Sequence, residues 1–215
     1  MKTLIAVPCF DMVHTEFMQS MIALEKPEDT SFTVVKNTLI SIARNTIARN
    51  AIEAGFDRIF WCDSDMKIPR DALIKLSEDM DSIGADLVTG LYFTRKPPIK
   101  PVIYSQLWWN MTDEGVDAGA GNYFDYPEGV IPIAGCGFGC CLTSVDIIRK
   151  VWEQEGVPFA EMQGFGEDLS FCERVIRVGG IMFADTTVKC GHVGVQEYNE
   201  QMYRAQGKID WTKIV

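Results

Sequence analysis

The sequence predicts an α/β fold, a mainly parallel sheet flanked by helices with an added hairpin and loop region. Three observations predict it. Short apolar runs alternate with helically spaced apolar positions through the first 95 residues. The runs stop at glycine, proline or acidic residues, where strands and helices end. After Arg95 the texture changes to prolines, glycines and clustered aromatics, as in Lys96-Pro97-Pro98, Trp108-Trp109 and Tyr123-Phe124-Asp125-Tyr126. Alternating strands and helices build parallel sheets, whose ligands sit beyond the carboxyl ends of the strands.

Residues 3–7 are a short apolar run closed by Pro8 and predict the first strand. Phe17, Met18, Met21, Ile22 and Glu25 follow at helical spacing, and residues 31–35 read as a second strand. Residues 37–54 predict the longest helix. Leu39, Ile40, Ile42, Ile47, Ala51 and Ile52 recur there at threes and fours, and Gly55 stands where a C-cap glycine belongs. Residues 58–62 read as a buried strand, 69–80 as a helix with proline in its first turn, and 86–93 as another strand. Beyond the loop region, a glycine-rich strand is expected over 137–143, helices over 144–152 and 168–178, a strand over 181–184, and a polar tail after His192.

At 215 residues, with 47% apolar and 23% charged side chains, the chain has the makings of a single soluble domain. The balance of 30 acidic against 20 basic side chains, a formal charge of -10, offers no broad basic surface, which argues against a nucleic-acid partner. The opening apolar run breaks at Pro8 before a secretory core would be complete, and no apolar stretch approaches the ~20 residues of a spanning helix. Seven cysteines, an odd number set in apolar segments, read as reduced core thiols, so a cytoplasmic location is expected. Among them Cys136, Cys140 and Cys141 lack the paired knuckles of a zinc site. The oligomeric state is left open.

The residues that can carry chemistry stand at the predicted strand and helix ends. Asp63 and Asp65 follow the strand at 58–62, and a period of two puts both on one side of an extended backbone. Two such carboxylates suit a hard cation, Mg²⁺ or Mn²⁺, that can bridge a diphosphate; the structural alternative is a turn residue and a loop-solvating acid. Arg44-Asn45 and Arg49-Asn50 on the long helix, and Arg95 with Lys96 after a strand, are local sources of positive charge or plain surface cations. Glu167 and Asp168 open a predicted helix, where a carboxylate serves as cap, as general base, or as both. His192 lies between glycines, and is either a structural hydrogen-bonder or an imidazole ligand beside the acid pair.

Taken in order, these strings resemble glycosyltransferases of the nucleotide-diphospho-sugar type with a GT-A fold, similar to family 2 enzymes and their compact phage and bacterial relatives. The resemblance runs from about Thr3 to Val193 and is weakest in the middle third. It implies a turn at Pro8-Cys9-Phe10-Asp11 that receives the nucleotide base, with Pro8, Phe10 and Asp11 as contacts. It implies that Arg44 and Asn45 of Ala43-Arg44-Asn45 touch the nucleotide region, and that Asp63 and Asp65 hold the metal and with it the donor. Pro69-Arg70-Asp71-Ala72-Leu73 and Gly90-Leu91-Tyr92-Phe93-Thr94-Arg95-Lys96 match further family strings, the latter adding Arg95 to the donor site. Ala134-Gly135-Cys136-Gly137-Phe138-Gly139 stands where the family shapes its sugar and acceptor pocket. Glu167-Asp168 matches the acid pair in which the aspartate is the usual base of inverting members, and His192 matches a late histidine that closes the metal site.

The resemblance divides residues 1–215 into a nucleotide-binding half (1–95), an acceptor and sugar half (96–193) and a tail or lid (194–215). It implies Mn²⁺ or Mg²⁺ as cofactor, a nucleotide-diphosphate sugar as donor, and a carbohydrate or other hydroxyl compound as acceptor. The Q-x-x-R-W string of processive synthases is absent, as are their membrane helices, so export of a polymer is not implied. Two other readings compete: a haloacid-dehalogenase-type phosphatase, with Asp63 as nucleophile, and a nucleotide-sugar binding module without turnover.

Overall fold

A computed structural model describes residues 1–194 and 197–206. The elements run β1 (Thr3–Cys9), α1 (Thr15–Ala23), β2 (Thr30–Lys36), α2 (Ile40–Glu53), β3 (Arg58–Cys62), β4 (Met66–Lys67), α3 (Ala72–Ile83), β5 (Leu87–Leu91), β6 (Ile103–Thr112) and β7 (Gly115–Asn122). They continue with β8 (Val130–Pro132), β9 (Gly135–Cys136), β10 (Cys140–Ser144), α4 (Val145–Glu155), α5 (Glu167–Arg177), β11 (Met182–Lys189), β12 (Gly191–Val193), β13 (Glu197–Tyr198) and α6 (Glu200–Ala205). Each element that periodicity predicts is present. Gly84, in the left-handed region at φ 66°, ends α3, and Ser144 caps α4 by accepting the Ile147 N–H at 3.1 Å.

A seven-stranded sheet of order β2-β1-β3-β10-β5-β11-β8 organises the molecule. Pairs β1/β2, β1/β3 and β5/β11 are parallel, whereas β10 runs antiparallel to both neighbours and β8 antiparallel to β11. The sheet is therefore mixed, a correction to the mainly parallel expectation: β1, β2, β3, β5 and β11 share one direction, and two strands oppose them. The reversal of β10 has a consequence for the site. Its first residue, Cys140, pairs with the last residue of β3, Cys62, so the preceding glycine-rich stretch 135–139 is delivered to the carboxyl end of the sheet.

Successive residues of β1 and β3 face opposite layers, as the pleat requires. Leu4, Ala6, Ile59 and Trp61 pack with Ile47, Ala48 and Ala51 of α2, Ile148 of α4 and Phe171 of α5. Ile5, Val7 and Phe60 pack with Phe17 of α1 and with Leu73, Leu76 and Met80 of α3. Both faces are thus covered, which explains the unbroken apolar runs of the central strands. Each fully buried large side chain contributes about 1.5–3 kcal/mol.

Pro8 was expected in a turn; it lies inside β1, which continues to Cys9. Register with β3 stops at Ala6, so by Pro8 the strand pairs with β2 alone and an absent N–H is tolerated. Two small sheets flank the main one: β13-β12-β4 and β7-β6-β9. In the second, β6 and β7 form a long hairpin within the predicted loop region. The tail from Glu197 to Gln206 docks on the main body: Tyr203 stacks on Phe93 at 5.0 Å, and Gln206 bonds both backbone groups of Ile99. Of the expected tail or lid, residues 195–196 and 207–215 lie outside the described residues. All seven cysteines are free and buried, and no described helix is long and apolar enough to cross a membrane.

Candidate active site

The strand β3 ends at Cys62 and the chain turns at once, with the Met66 N–H donating to the Asp63 carbonyl at 3.2 Å. This turn overrides the period-two argument. Asp63 and Asp65 do not share a partner: Asp63 goes to Arg44 and Asp65 goes to Arg95 and His192.

Arg44 stands at the centre of the first group. Its guanidinium is buried at 2% exposure, donating to Asp63 Oδ1 at 2.9 Å and Glu167 Oε1 at 3.2 Å, and it lies over the rings of Phe138 and Trp61 at 5.2 and 5.7 Å. Burial alone would lower its pKa, but Asp63, Glu167 and Asp168 outweigh that and hold it above the ordinary value. Burial raises the Asp63 carboxyl, and Arg44 only partly offsets the effect. So placed, Arg44 is a strut between the end of β3 and the start of α5, not a surface cation reaching for a diphosphate. Its Nη1 is buried without a hydrogen-bond partner.

Glu167 is engaged by Arg44, and its neighbour Asp168 is half-buried with Oδ1 accepting the Leu169 N–H at 2.7 Å. Burial, reinforced by the adjacent Glu167, pushes the Asp168 pKa up to about 6. Asp168 also acts on two phenols at this end of the sheet: burial raises Tyr104 to about 12 and Tyr92 well above its usual value, with Asp168 adding to both. The helix start is fixed by a pinned loop, where Arg174 donates to the carbonyls of Pro158 and Ala160 and Ser170 accepts the Met162 N–H.

The second group is Asp65, His192 and Arg95. Arg95 Nη1 reaches Asp65 Oδ2 at 2.5 Å, and His192 Nε2 stands 3.5 Å from the same oxygen. His192 Nδ1 lies 2.8 Å from the Phe93 carbonyl, which can only accept, so Nδ1 carries the proton. In the neutral ring Nε2 therefore turns a lone pair towards Asp65. Burial would raise Asp65; Arg95, together with His192 when its Nε2 is also protonated and donates to the same oxygen, overcomes it and holds the carboxylate below its ordinary range.

Two lone-pair donors facing one another, with the imidazole oriented by a backbone carbonyl, form the kind of pair that takes a divalent cation. Asp65 and His192 could hold a divalent cation such as Mn²⁺ or Mg²⁺; Asp63 gives its Oδ1 to Arg44 and stands close enough to Asp65 for the two carboxylates to repel. Among the described residues no three His, Cys, Asp or Glu side chains converge as a metal cluster.

The remaining expected residues divide. The loop carrying Phe10 and Asp11 touches the acid-pair loop, since the His14 N–H donates to the Ser64 carbonyl, and both side chains are exposed. Asn45 turns away and accepts the Phe159 N–H at 3.0 Å, bracing a core loop, and Arg49 lies over Trp152. Beside His192 opens a cleft of about 530 Å³ lined by Tyr92, Arg95, Lys96 and Lys100 among others. Lys100 carries no motif, and only the fold of the 93–102 loop brings it there. Gly137 and Gly139 wall the same region: a Cβ at Gly137 would stand 1.9 Å from Tyr92 Oη.

Fold and site together define a mixed α/β protein with an acidic strand-end site flanked by a basic cleft. No family model matches the chain, and no curated protein matches it. Among solved structures it is similar to A197 from STIV, at 16% identity and a TM-score of 0.67, with 90% of this chain and 86% of that chain covered. At that identity the likeness concerns the fold alone.

Proposed function

We propose that this chain is a metal-dependent glycosyltransferase of GT-A type, moving a sugar from a nucleotide-diphosphate sugar to an acceptor hydroxyl. One observation carries the reading. At one end of the sheet stand both a carboxyl whose pKa is raised to about 6, Asp168, and an oriented Asp65–His192 donor pair beside a cationic cleft. Separation of a base from a cation site is what transfer from a diphosphate leaving group requires.

Asp65 and His192 would hold Mn²⁺ or Mg²⁺, which would neutralise charge on the diphosphate. Arg95, Lys96 and Lys100 add fixed positive charge in a protein whose formal charge is -10. Asp168, ionised at neutral pH, accepts the proton of the acceptor hydroxyl while that oxygen bonds the sugar carbon. The bond from that carbon to the diphosphate breaks and the leaving group takes its electron pair. Glu167 and Arg44 act on Asp168 indirectly, by fixing the start of α5 against Asp63. The phosphatase alternative needs Asp63 as a free nucleophile, whereas that carboxylate is engaged by Arg44 at 2.9 Å.

The test is a thermal-shift screen of UDP-, GDP-, ADP- and dTDP-sugars with Mn²⁺, each repeated with chelator. A nucleotide sugar at about 100 times its Kd stabilises by about 2.7 kcal/mol, or roughly 5–11 °C for a chain of this size. Asp65→Ala is expected to abolish the metal-dependent shift and leave the ligand-free melting temperature nearly unchanged. Failure of every nucleotide sugar, or a shift indifferent to chelator, refutes the assignment.

A further inference from the structure

The β6–β7 hairpin carries two adjacent tryptophans that the fold treats in opposite ways. Trp109 belongs to the inner face: its Nε1 donates to the Gln163 carbonyl at 3.0 Å and the Arg177 guanidinium lies over its ring. Leu107, on the same face, packs against Gly135. Trp108 belongs to the outer face and remains 38% exposed. The register pairs Gln106 with Gly121, Trp108 with Gly119 and Asn110 with Asp117, so these residues share that face.

The outer face is built flat. A Cβ at Gly119 would stand 2.2 Å from the Trp108 ring, and one at Gly121 would stand 2.9 Å from Gln106 Cγ, so both side chains lie across the strand on bare backbone. Asp117 Oδ1 accepts the indole N–H at 3.3 Å and holds the ring down. The indole thus presents a fixed, open π-face flanked by the exposed amides of Gln106 and Asn110. No Lys, Arg or His occurs anywhere in residues 101–148, so the hairpin itself brings no cation to this face. A flat aromatic ring bordered by amides and a carboxylate, without cations, complements a neutral pyranose: the ring takes the C–H face and the polar groups take hydroxyls.

We propose that the outer face of this hairpin, centred on Trp108, is a platform for a neutral oligosaccharide. The face lies on the side of the hairpin opposite Trp109 and helix α5, so the binding does not rest on the transferase reading.

The test is titration of the full chain with cellopentaose, maltopentaose, mannopentaose and chitopentaose, without donor or metal, followed by tryptophan fluorescence and calorimetry. At least one should bind below about 10 mM, and Trp108→Ala should weaken it roughly tenfold or more with the melting temperature retained. Gly119→Ala, which keeps the indole but lifts it from the strand, should give the same loss. Trp109→Phe should not. Absence of binding by all four sugars, or equal binding by Trp108→Ala and the parent, overturns the platform. Sugar binding lost in Trp108→Ala from a protein that no nucleotide sugar stabilises would keep the platform and remove the transferase reading.

Discussion

Replacing Arg44 by methionine tests the strut directly. The substitution keeps the long apolar stem against Phe138 and Trp61 and removes the charge shared by Asp63 and Glu167. Removing one member of a buried ion pair costs about 3–5 kcal/mol. The acids here are 31% and 14% exposed, so water reaches them and the lower figure, about 3 kcal/mol, applies. For a chain of this length that lowers the melting temperature by roughly 6–12 °C. The deficit also has a pH signature. Burial already raises the Asp63 carboxyl in the parent and Arg44 offsets part of that, so without the guanidinium it rises further, the folded variant binds more protons, and the deficit shrinks as pH falls from about 7 to 5. Arg44→Met in an Asp63→Asn, Glu167→Gln background leaves no uncompensated charge and should cost less than about 1 kcal/mol relative to that background. The assay is thermal and urea unfolding of all four proteins across this pH range. A deficit below about 1 kcal/mol at neutral pH, or one that does not change with pH, refutes the strut.

Two further outcomes follow from the same geometry. Asp168 has its folded pKa raised from 3.8 to about 6, so the folded state binds the extra proton between those values and stability falls as pH rises through them. In metal-free protein Asp168→Asn should therefore match the parent near pH 4 and exceed it by up to about 3 kcal/mol at pH 7, while the proposed transferase activity of the parent should fade as pH falls through about 6; equal stability at both pH values removes the raised carboxyl. Gly137→Ala places a Cβ 1.9 Å from Tyr92 Oη and 2.8 Å from Val102 Cγ1, and Tyr92 is buried with its hydroxyl accepting the Gly139 N–H. Overpacking should cost about 1–3 kcal/mol by urea unfolding and displace Tyr92 from the edge of His192, whereas an unperturbed Cm would mean that the ring has room to move.

Much of the frame was legible because it is local. Periodicities of two and of three to four residues mark β1, β2, β3, β5 and α1 to α5, and residues 58–62 coincide with β3 to the residue. Asp63, Asp65, Asp168 and His192 were visible for the same reason, as acids or an imidazole at the ends of apolar runs, and the structure brings them to one end of the sheet. What they do there was not legible. Arg44 and Glu167 are 123 positions apart, and no string records that this helix arginine becomes buried between Glu167 and Asp63.

Strand direction, too, was decided by the whole fold. An apolar run reads alike forwards and backwards, so only the packing of β10 between β3 and β5 shows that it is reversed. The two tryptophans at 108 and 109 make the same point at the scale of one side chain. Sequence establishes that two large aromatics stand in a hairpin; which of them is packed and which faces solvent depends on the register with β7 and on what lies beneath. The alphabet of local propensities thus determined the elements and the reactive side chains, while the pairing of charges, the sense of the central strand and the exposed indole came from contacts between distant parts of the chain.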